Sequence, residues 1–197
     1  MEAFEKLVAS LARLPGVGRR SAERMATRLV RDPDGILAGL AMSLEQARSN
    51  LCCCSKCGSI TSVDQQPCQL CTSPRRDTHV VCIVEDPNDI ALIEKSGGFR
   101  GRYHALMGKL SPMRGEGARN LRLSSLLERI DAEGFTEVIL ATSTDVEGDA
   151  TASFIADLLK DKNVKLSRLA FGLPASSGIA YSDPVTLQRA IDGRQAF

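Results

Sequence analysis

Cys54-Ser55-Lys56-Cys57 and, after ten intervening residues, Cys68-Gln69-Leu70-Cys71 fix the frame from which the rest of the 197-residue chain can be placed. Two CxxC pairs this close together put four thiolates within reach of one tetrahedral Zn²⁺. A closed four-cysteine site keeps no open coordination position, so the ion, one per chain, is expected to hold structure and do no chemistry. Cys52 and Cys53 precede the first pair, but only Cys54 stands two residues from Cys57. The stretch between the pairs includes Thr61, Ser62, Asp64, Gln65, Gln66 and Pro67, which make no core of their own. A structural zinc supplies about 10–16 kcal/mol in small peptide sites, enough to fold such a segment. The sequence before the cysteines reads as helical and basic, and the sequence after them as alternating strand and helix. The cysteine module is therefore a candidate joint between two functional parts.

Bulk properties narrow the classes. Hydrophobic residues make up 43% and charged residues 25%, as in ordinary globular chains. The net charge is only +1, but residues 1–31 hold seven Arg or Lys against three Glu, a local +4. A local basic surface is what a phosphate-backbone binder needs. No apolar run approaches the ~18 residues of a membrane span, and Met1-Glu2-Ala3-Phe4-Glu5 lacks a signal-peptide layout. Seven cysteines, four of them in CxxC pairs, favour metal over disulfides and hence a reducing cytoplasm. With no Trp and two Tyr, stacking on aromatics is not expected to dominate any nucleic-acid contact.

Phe4, Leu7, Val8 and Leu11 fall at i, i+3, i+4 and i+7 and predict a first helix. Leu14-Pro15-Gly16-Val17-Gly18 ends it, and a second helix is expected from Arg19 with Ala22, Met25, Ala26 and Leu29 inward. Arg20, Arg24 and Arg28 then form one cationic stripe. The helix–LPGVG–helix unit resembles a helix-hairpin-helix DNA-binding motif, in which backbone N–H groups near Gly16 and Gly18 meet a phosphate unobstructed. The alternative is an αα-hairpin with a solvated basic face. Asp32-Pro33 caps a third helix through Leu37, Leu40, Ala41, Leu44 and Ala47, expected to pack on the first two.

From His79 the pattern changes. Val80-Val81-Cys82-Ile83-Val84 reads as a strand covered on both faces, with Cys82 in the core. A helix closing near Gly97-Gly98, a strand over 103–107 and a glycine-rich loop over 108–120 follow. Next come a helix over 123–132, a strand over 137–141, a helix over 150–159 and a strand over 166–171. Strands alternating with helices predict an α/β domain with a mainly parallel sheet.

Ligands of such sheets gather at the carboxyl ends of strands. Glu85 and Asp89 follow the first strand there, and Asp145, Glu147 and Asp149 follow the strand over 137–141. One Glu after a first strand and spaced acids after a later one resemble a Toprim domain, whose acids hold Mg²⁺. Against the Toprim pattern A-T-D-x-D-x-E-G this chain reads Ala141-Thr142-Ser143-Thr144-Asp145-Val146-Glu147-Gly148, with Ser143 where the first Asp belongs. Serine is a poor ligand for a hard cation, so the Mg²⁺ site is expected to be impaired. Neither Tyr103, in a predicted strand, nor Tyr181, in a predicted loop, suits a cleavage nucleophile. Other readings of the acids are a solvated negative patch, N-caps of a helix beginning near Asp149, or a docking surface for a protein partner.

Taken in order, LPGVGRRSAERMA, the paired CxxC module, VCIVEDPNDI, YHALMGKLSPM, EVILATSTDVEGDATA and DPVTLQRAIDGR resemble the RecR family of recombination mediators over essentially the whole chain. The resemblance implies a cytoplasmic, nucleoid-associated DNA repair protein with no enzymatic activity, acting with RecO and sometimes RecF to load RecA on single-stranded or gapped DNA. The competing enzyme reading is a Mg²⁺-dependent Toprim nuclease or topoisomerase-like accessory. The resemblance implies a multi-part α/β protein: a helix-hairpin-helix region over 1–51, a zinc finger over 52–76, a Toprim domain over 77–173 and a C-terminal oligomerisation segment over 174–197. It implies homodimers and tetrameric rings around DNA. Its DNA-binding positions fall on Arg20 and Arg24, with Arg19, Arg28, Gly16 and Gly18 beside them. Its zinc ligands are Cys54, Cys57, Cys68 and Cys71, and its Toprim acids, Glu85 and Glu147 above all, mark the surface for RecO. Two departures stand out: Asp145 replaces a common Thr, and the loop over 172–181 lacks the usual Gly-Gly and acid.

Overall fold

Apolar spacing builds the first two helices as expected, α1 over Glu2–Ala12 and α2 over Arg19–Val30. The computed structural model describes residues 1–111, 117–170, 173 and 179–193. It divides into two units, Met1–Cys52 with Ser62–Asp64, and Cys53–Thr61 with Gln65–Phe197. In the first unit Val8, Ala22 and Ala26 are buried against each other, with Phe4, Leu7, Leu11 and Val17 packed around them. The small Ala22 and Ala26 let the two helices approach closely. Met25, expected inward, is 45% exposed.

Asp32 caps the next segment as expected, accepting from the Ile36 N–H at 3.2 Å. A wide turn of π type over Pro33–Leu37 leads into α3 over Ala38–Asn50. Helix α3 departs from expectation: it buries no residue, and Met42 and Leu44 are 62% and 61% exposed. Because α1 and α2 already close on each other, the apolar side chains of α3 are left uncovered within this unit. Strands β1 (Leu51–Cys53) and β2 (Ile60–Ser62) form a two-stranded sheet through which the division between the units runs.

The second unit contains a four-stranded parallel sheet in the order β4-β3-β5-β6: β3 over Val80–Val84, β4 over Arg102–Ala105, β5 over Glu137–Ala141 and β6 over Lys165–Arg168. Short helix α4 (Gln69–Thr72) belongs to the cysteine module, α5 (Pro87–Ser96) links β3 to β4, α6 (Leu123–Glu133) precedes β5, and α7 (Val146–Leu159) links β5 to β6. The period-two alternation of β3 divides the core. Val81 and Ile83 meet Leu126, Ile130, Val138 and Ile155 on one side. Cys82 and Val84 meet Ile90, Tyr103 and the four cysteines on the other.

Cys82 is core as expected, 2% exposed, and burial pushes its thiol up to about 12. Helix α7 starts four residues earlier than the pattern suggested because Asp145, not Asp149, supplies its cap. Strand β6 ends at Arg168 and is half open, as an edge strand can be. Beyond it lie a short turn over Ile179–Tyr181 and α8 (Pro184–Asp192), capped by Asp183. Arg114 and Gly115 of the glycine-rich loop, and residues 174–178 of the C-terminal segment, fall outside the described residues. No helix among the described residues is long and apolar enough to cross a membrane.

Candidate functional site

Cys54, Cys57, Cys68 and Cys71 are all buried, and their Sγ atoms lie within 4.8 Å of one another. Four sulfurs at ~2.3 Å from a tetrahedral ion stand about 3.8 Å apart. Here Cys57 to Cys68 is 3.4 Å and Cys54 to Cys71 is 4.0 Å, so the cage fits such an ion. Two backbone N–H groups point at sulfur: Ser59 at Cys57 Sγ (3.4 Å) and Cys68 at Cys54 Sγ (3.3 Å). N–H donors aimed at sulfur favour the thiolate form a metal needs. The four cysteines thus make a group able to hold one metal ion.

All four belong to the α/β unit. The Cys57 carbonyl accepts from the Ala105 N–H of β4 at 2.8 Å. Three arginines grip the module's backbone from the sheet side. Arg102 donates to the Leu70 and Ser73 carbonyls at 2.7 and 3.2 Å. Arg122 donates to the Ser55 and Lys56 carbonyls at 2.8 and 3.2 Å. Arg129 reaches the Tyr103 carbonyl at 2.7 Å, His104 Nδ1 at 3.1 Å and Glu133 at 2.8 Å. Lys56 closes the set on Glu133 at 3.2 Å. Burial works against the Glu133 carboxylate, but the Arg129 and Lys56 contacts outweigh it and hold it below its usual range. Sequence reading missed these arginines. One signal was present: Arg129 falls three residues after Leu126 and one before Ile130, on the apolar side of α6.

The arginine stripe of the first unit is organised in the opposite way. Gly16 takes φ +76°, which the turn requires and a side chain would strain. Gly18 is the N-cap residue of α2 and offers no side chain to cap it, so the first-turn N–H groups stay open. Arg20, Arg24, Arg28 and Arg31 line an open groove of about 530 Å³ with Glu23 and Thr27. Among the described residues Arg20, Arg24 and Arg28 have no ion-pair or hydrogen-bond partner. Arg19 differs, paired with Glu23 at 3.1 Å and Glu5 at 3.7 Å.

The acids at the strand ends come together where the sheet order turns. Glu85 follows β3 and Ser143 follows β5, the adjacent central strands. The Ser143 N–H and Oγ both donate to Glu85 Oε1 at 2.8 Å, and the same hydroxyl lies 2.9 Å from Asp145 Oδ1. Asp145 caps α7 through the Gly148 N–H at 2.7 Å. Gly148 has to be glycine because a Cβ there would fall on the Ser143 carbonyl. Lys109 sets its ammonium 2.5 Å from Asp145 and 3.5 Å from Glu147. That contact, then the Gly148 N–H and Ser143 hydroxyl, hold the Asp145 carboxyl down at about 2. Ser111 donates to Glu147 as well. Asp149 pairs with Arg168 at 2.7 Å and Arg189 at 3.3 Å.

The acids after β5 are therefore neutralised by the chain's own cations. Those after β3 form no ion pair among the described residues, although the Lys109 charge also acts on Glu85: Asp86 and Asp89 close a capping box on α5, with Asn88 N–H to Asp86 at 2.8 Å and Asp86 N–H to Asp89 at 2.9 Å. Glu85 and Asp89 edge a cleft of about 280 Å³ walled by Leu92 and Leu169. Lys109 reads in the sequence only as a basic residue of the glycine-rich loop, and Arg168 and Arg189 are not picked out there, because nothing local marks partners 19 to 40 residues away.

Comparison with known proteins fits this layout. A family model described as "RecR, helix-hairpin-helix" matches residues 4–48, and one described as "Toprim domain" matches residues 79–170. The chain is 45% identical to the "Recombination protein RecR" of Syntrophobacter fumaroxidans over 97% of this chain and 94% of that one. It is also 45% identical to the protein of that name from Acidobacterium capsulatum, covering 98% and 96%. Identity to the Moorella thermoacetica protein is 44%, covering 98% and 96%.

Proposed function

The chain belongs to the RecR family of recombination proteins, and from that premise we propose that it is a non-catalytic, DNA-binding mediator of recombinational repair. Arg20, Arg24 and Arg28 grip the DNA backbone, with the open first-turn N–H groups after Gly18 taking a phosphate; the Val17 N–H after Gly16 is spent on the Leu14 carbonyl at 3.1 Å. Arg19, tied to two glutamates, contributes less. Zn²⁺ occupies Cys54, Cys57, Cys68 and Cys71 and fixes the module to the α/β unit; it takes no part in chemistry. The family resemblance supplies the finer parts of the proposal. RecO, at times with RecF, docks on the Toprim acids Glu85, Asp89, Asp145, Glu147 and Asp149, and the assembly loads RecA on single-stranded or gapped DNA. Homo-oligomerisation multiplies a weak single-chain grip, and the uncovered apolar side of α3 suits contact with another copy.

The single observation carrying DNA binding is the set of three unpartnered arginines beside an uncapped helix start. Arg20→Glu with Arg24→Glu is expected to weaken duplex binding at least tenfold and flatten its salt dependence, measured by fluorescence anisotropy across a salt series. Unchanged affinity with an unchanged slope would sink the assignment. The non-catalytic reading is supported by Ser143 in place of an acid and by Lys109 lying on Asp145 and Glu147. The same wild-type protein incubated with labelled DNA and Mg²⁺ or Mn²⁺ is expected to leave it uncut; cleavage that vanishes in Glu85→Gln would favour the enzyme.

A further inference from the structure

We propose that the α/β unit carries a second nucleic-acid site, a cleft beside the cysteine module that takes single-stranded DNA, with a base against Phe99 and phosphates at Arg75 and Arg100. The proposal rests on the reading that the chain binds DNA, but not on the assignment of that binding to α2. The cleft encloses about 400 Å³ and is lined by Gln69, Leu70, Ser73, Arg75, Phe99 and Arg100, together with the Arg76–Glu94 pair and Gly97.

Its charge is decided by which groups are already engaged. Glu94, the carboxylate in the lining, is taken up by the Arg76 guanidinium and by the Tyr103 hydroxyl at 2.5 Å. Arg76 is fixed further by the Gly101 carbonyl at 3.1 Å and lies 5.3 Å from the Tyr103 ring centroid. That cluster is neutral and rigid. The side chains of Arg75 and Arg100 are exposed and, among the described residues, have no ion-pair or hydrogen-bond partner. The nearby Asp77 carboxylate is turned to the His79 N–H at 2.7 Å. Two free positive charges therefore remain on the cleft.

Their placement is built, not incidental. The Asp77 N–H donates to the Arg100 carbonyl at 2.8 Å, which holds the segment of Arg75 beside that of Arg100. Phe99 is half-buried and braced edge-on against Tyr103, with ring centroids 5.0 Å apart, so its ring is held rather than free to turn. An aromatic face with two guanidiniums suits an unpaired base and its flanking phosphates. Duplex bases are stacked on each other and cannot reach such a ring. A site for unpaired strand on one unit and an arginine groove for backbone on the other would give one chain contacts for both parts of a gapped DNA.

The test uses the full-length, zinc-loaded protein and fluorescence anisotropy with a labelled oligo-dT and, separately, a labelled duplex. Arg75→Ala with Arg100→Ala should weaken oligo-dT binding roughly tenfold and lower its salt slope by about 1.4, two contacts at about 0.7 each. Duplex binding should change less than twofold. Both residues are exposed, so far-UV circular dichroism and zinc content should stay at wild-type values. An oligonucleotide carrying 5-iodouracil should photocross-link to the peptide containing Phe99. Oligo-dT affinity and slope unchanged in the double variant would overturn the proposal. So would equal loss on duplex, absence of a cross-link at that peptide, or equal displacement by thymidine monophosphate or poly-glutamate. If Arg20→Glu with Arg24→Glu leaves duplex binding intact while the cleft variant loses oligo-dT, the α2 assignment fails and this one stands.

Discussion

Arginine is used in two opposite ways in this molecule. On α2, Arg20, Arg24 and Arg28 stand exposed along a groove, with no partner among the described residues. In the α/β unit Arg102 and Arg129 are each 7% exposed, and with Arg122 they are bound to carbonyls of the cysteine module and of β4. An exposed, unpaired guanidinium adds little to folding and keeps its charge for a partner. A buried one is desolvated at a cost of several kcal/mol that pairing has to offset, so its charge is spent inside the fold; Arg129 keeps one buried nitrogen, Nη2, without a hydrogen-bond partner among the described residues. Residue type alone does not separate the two; burial and pairing do.

That contrast can be broken or sharpened by experiment. The largest effect should come from the metal. Because the cysteines share a core with Val84, Ile90 and Tyr103, chelation or Cys57→Ser should collapse amide protection throughout the α/β sheet. Retention of that protection in a zinc-free protein would show the arginines and sheet to be sufficient alone. Next, Arg129→Ala should lower stability by about 3 kcal/mol in denaturant titration, since it leaves Glu133 with Lys56 alone and takes the guanidinium donor from the Tyr103 carbonyl and His104 Nδ1. Adding Glu133→Gln should recover part of the loss.

A smaller effect should appear with pH. His104 is fully buried, donates Nε2–H to the Arg122 carbonyl at 3.0 Å and accepts from Arg129 at Nδ1. Burial first, then the Arg129 charge, push it down from 6.5 to about 3. Between those values the unfolded chain holds more protons than the folded one, so stability falls as pH drops through that window. The limit is about 1.4 kcal/mol per pH unit. From pH 7 to 5.5 a loss of about 1 kcal/mol is expected, and His104→Gln should remove that part of the slope. Smallest of all, Arg20→Ala with Arg24→Ala should shift stability by no more than about 0.5 kcal/mol. A larger shift would mean those residues belong with the structural set.

How much of this could be read from sequence follows the range of the interaction. Strands β3 and β5 and the hairpin of α1 and α2 were legible because period and punctuation are local: a continuous apolar run, an i, i+3, i+4 stripe, an LPGVG turn. The cysteine cage was legible because CxxC spacing is itself the geometry. The start of α7 was misplaced because Asp145, Glu147 and Asp149 all suit a helix start, and only the close approach of Gly148 to Ser143 selects the first as cap. Helix α3 has the spacing of a buried face, yet periodicity says which side is apolar, not whether anything in the chain covers it. Least legible was the identity of each cation's partner. Lys109 meets Asp145 across 36 positions and Arg129 meets Tyr103 across 26, so no local pattern links them.

The hydrogen bond from Ala105 to the Cys57 carbonyl bears on a different hazard. Strand β4 is at the border of the sheet, where unpaired backbone groups invite a strand from another molecule. The cysteine knuckle sits on that border as a shield, kept in place by the Ala105 and Arg122 hydrogen bonds. Starved of zinc, the chain is expected to cluster with its own copies, seen as light scattering on chelation. Its zinc site would then act as a guard against aggregation.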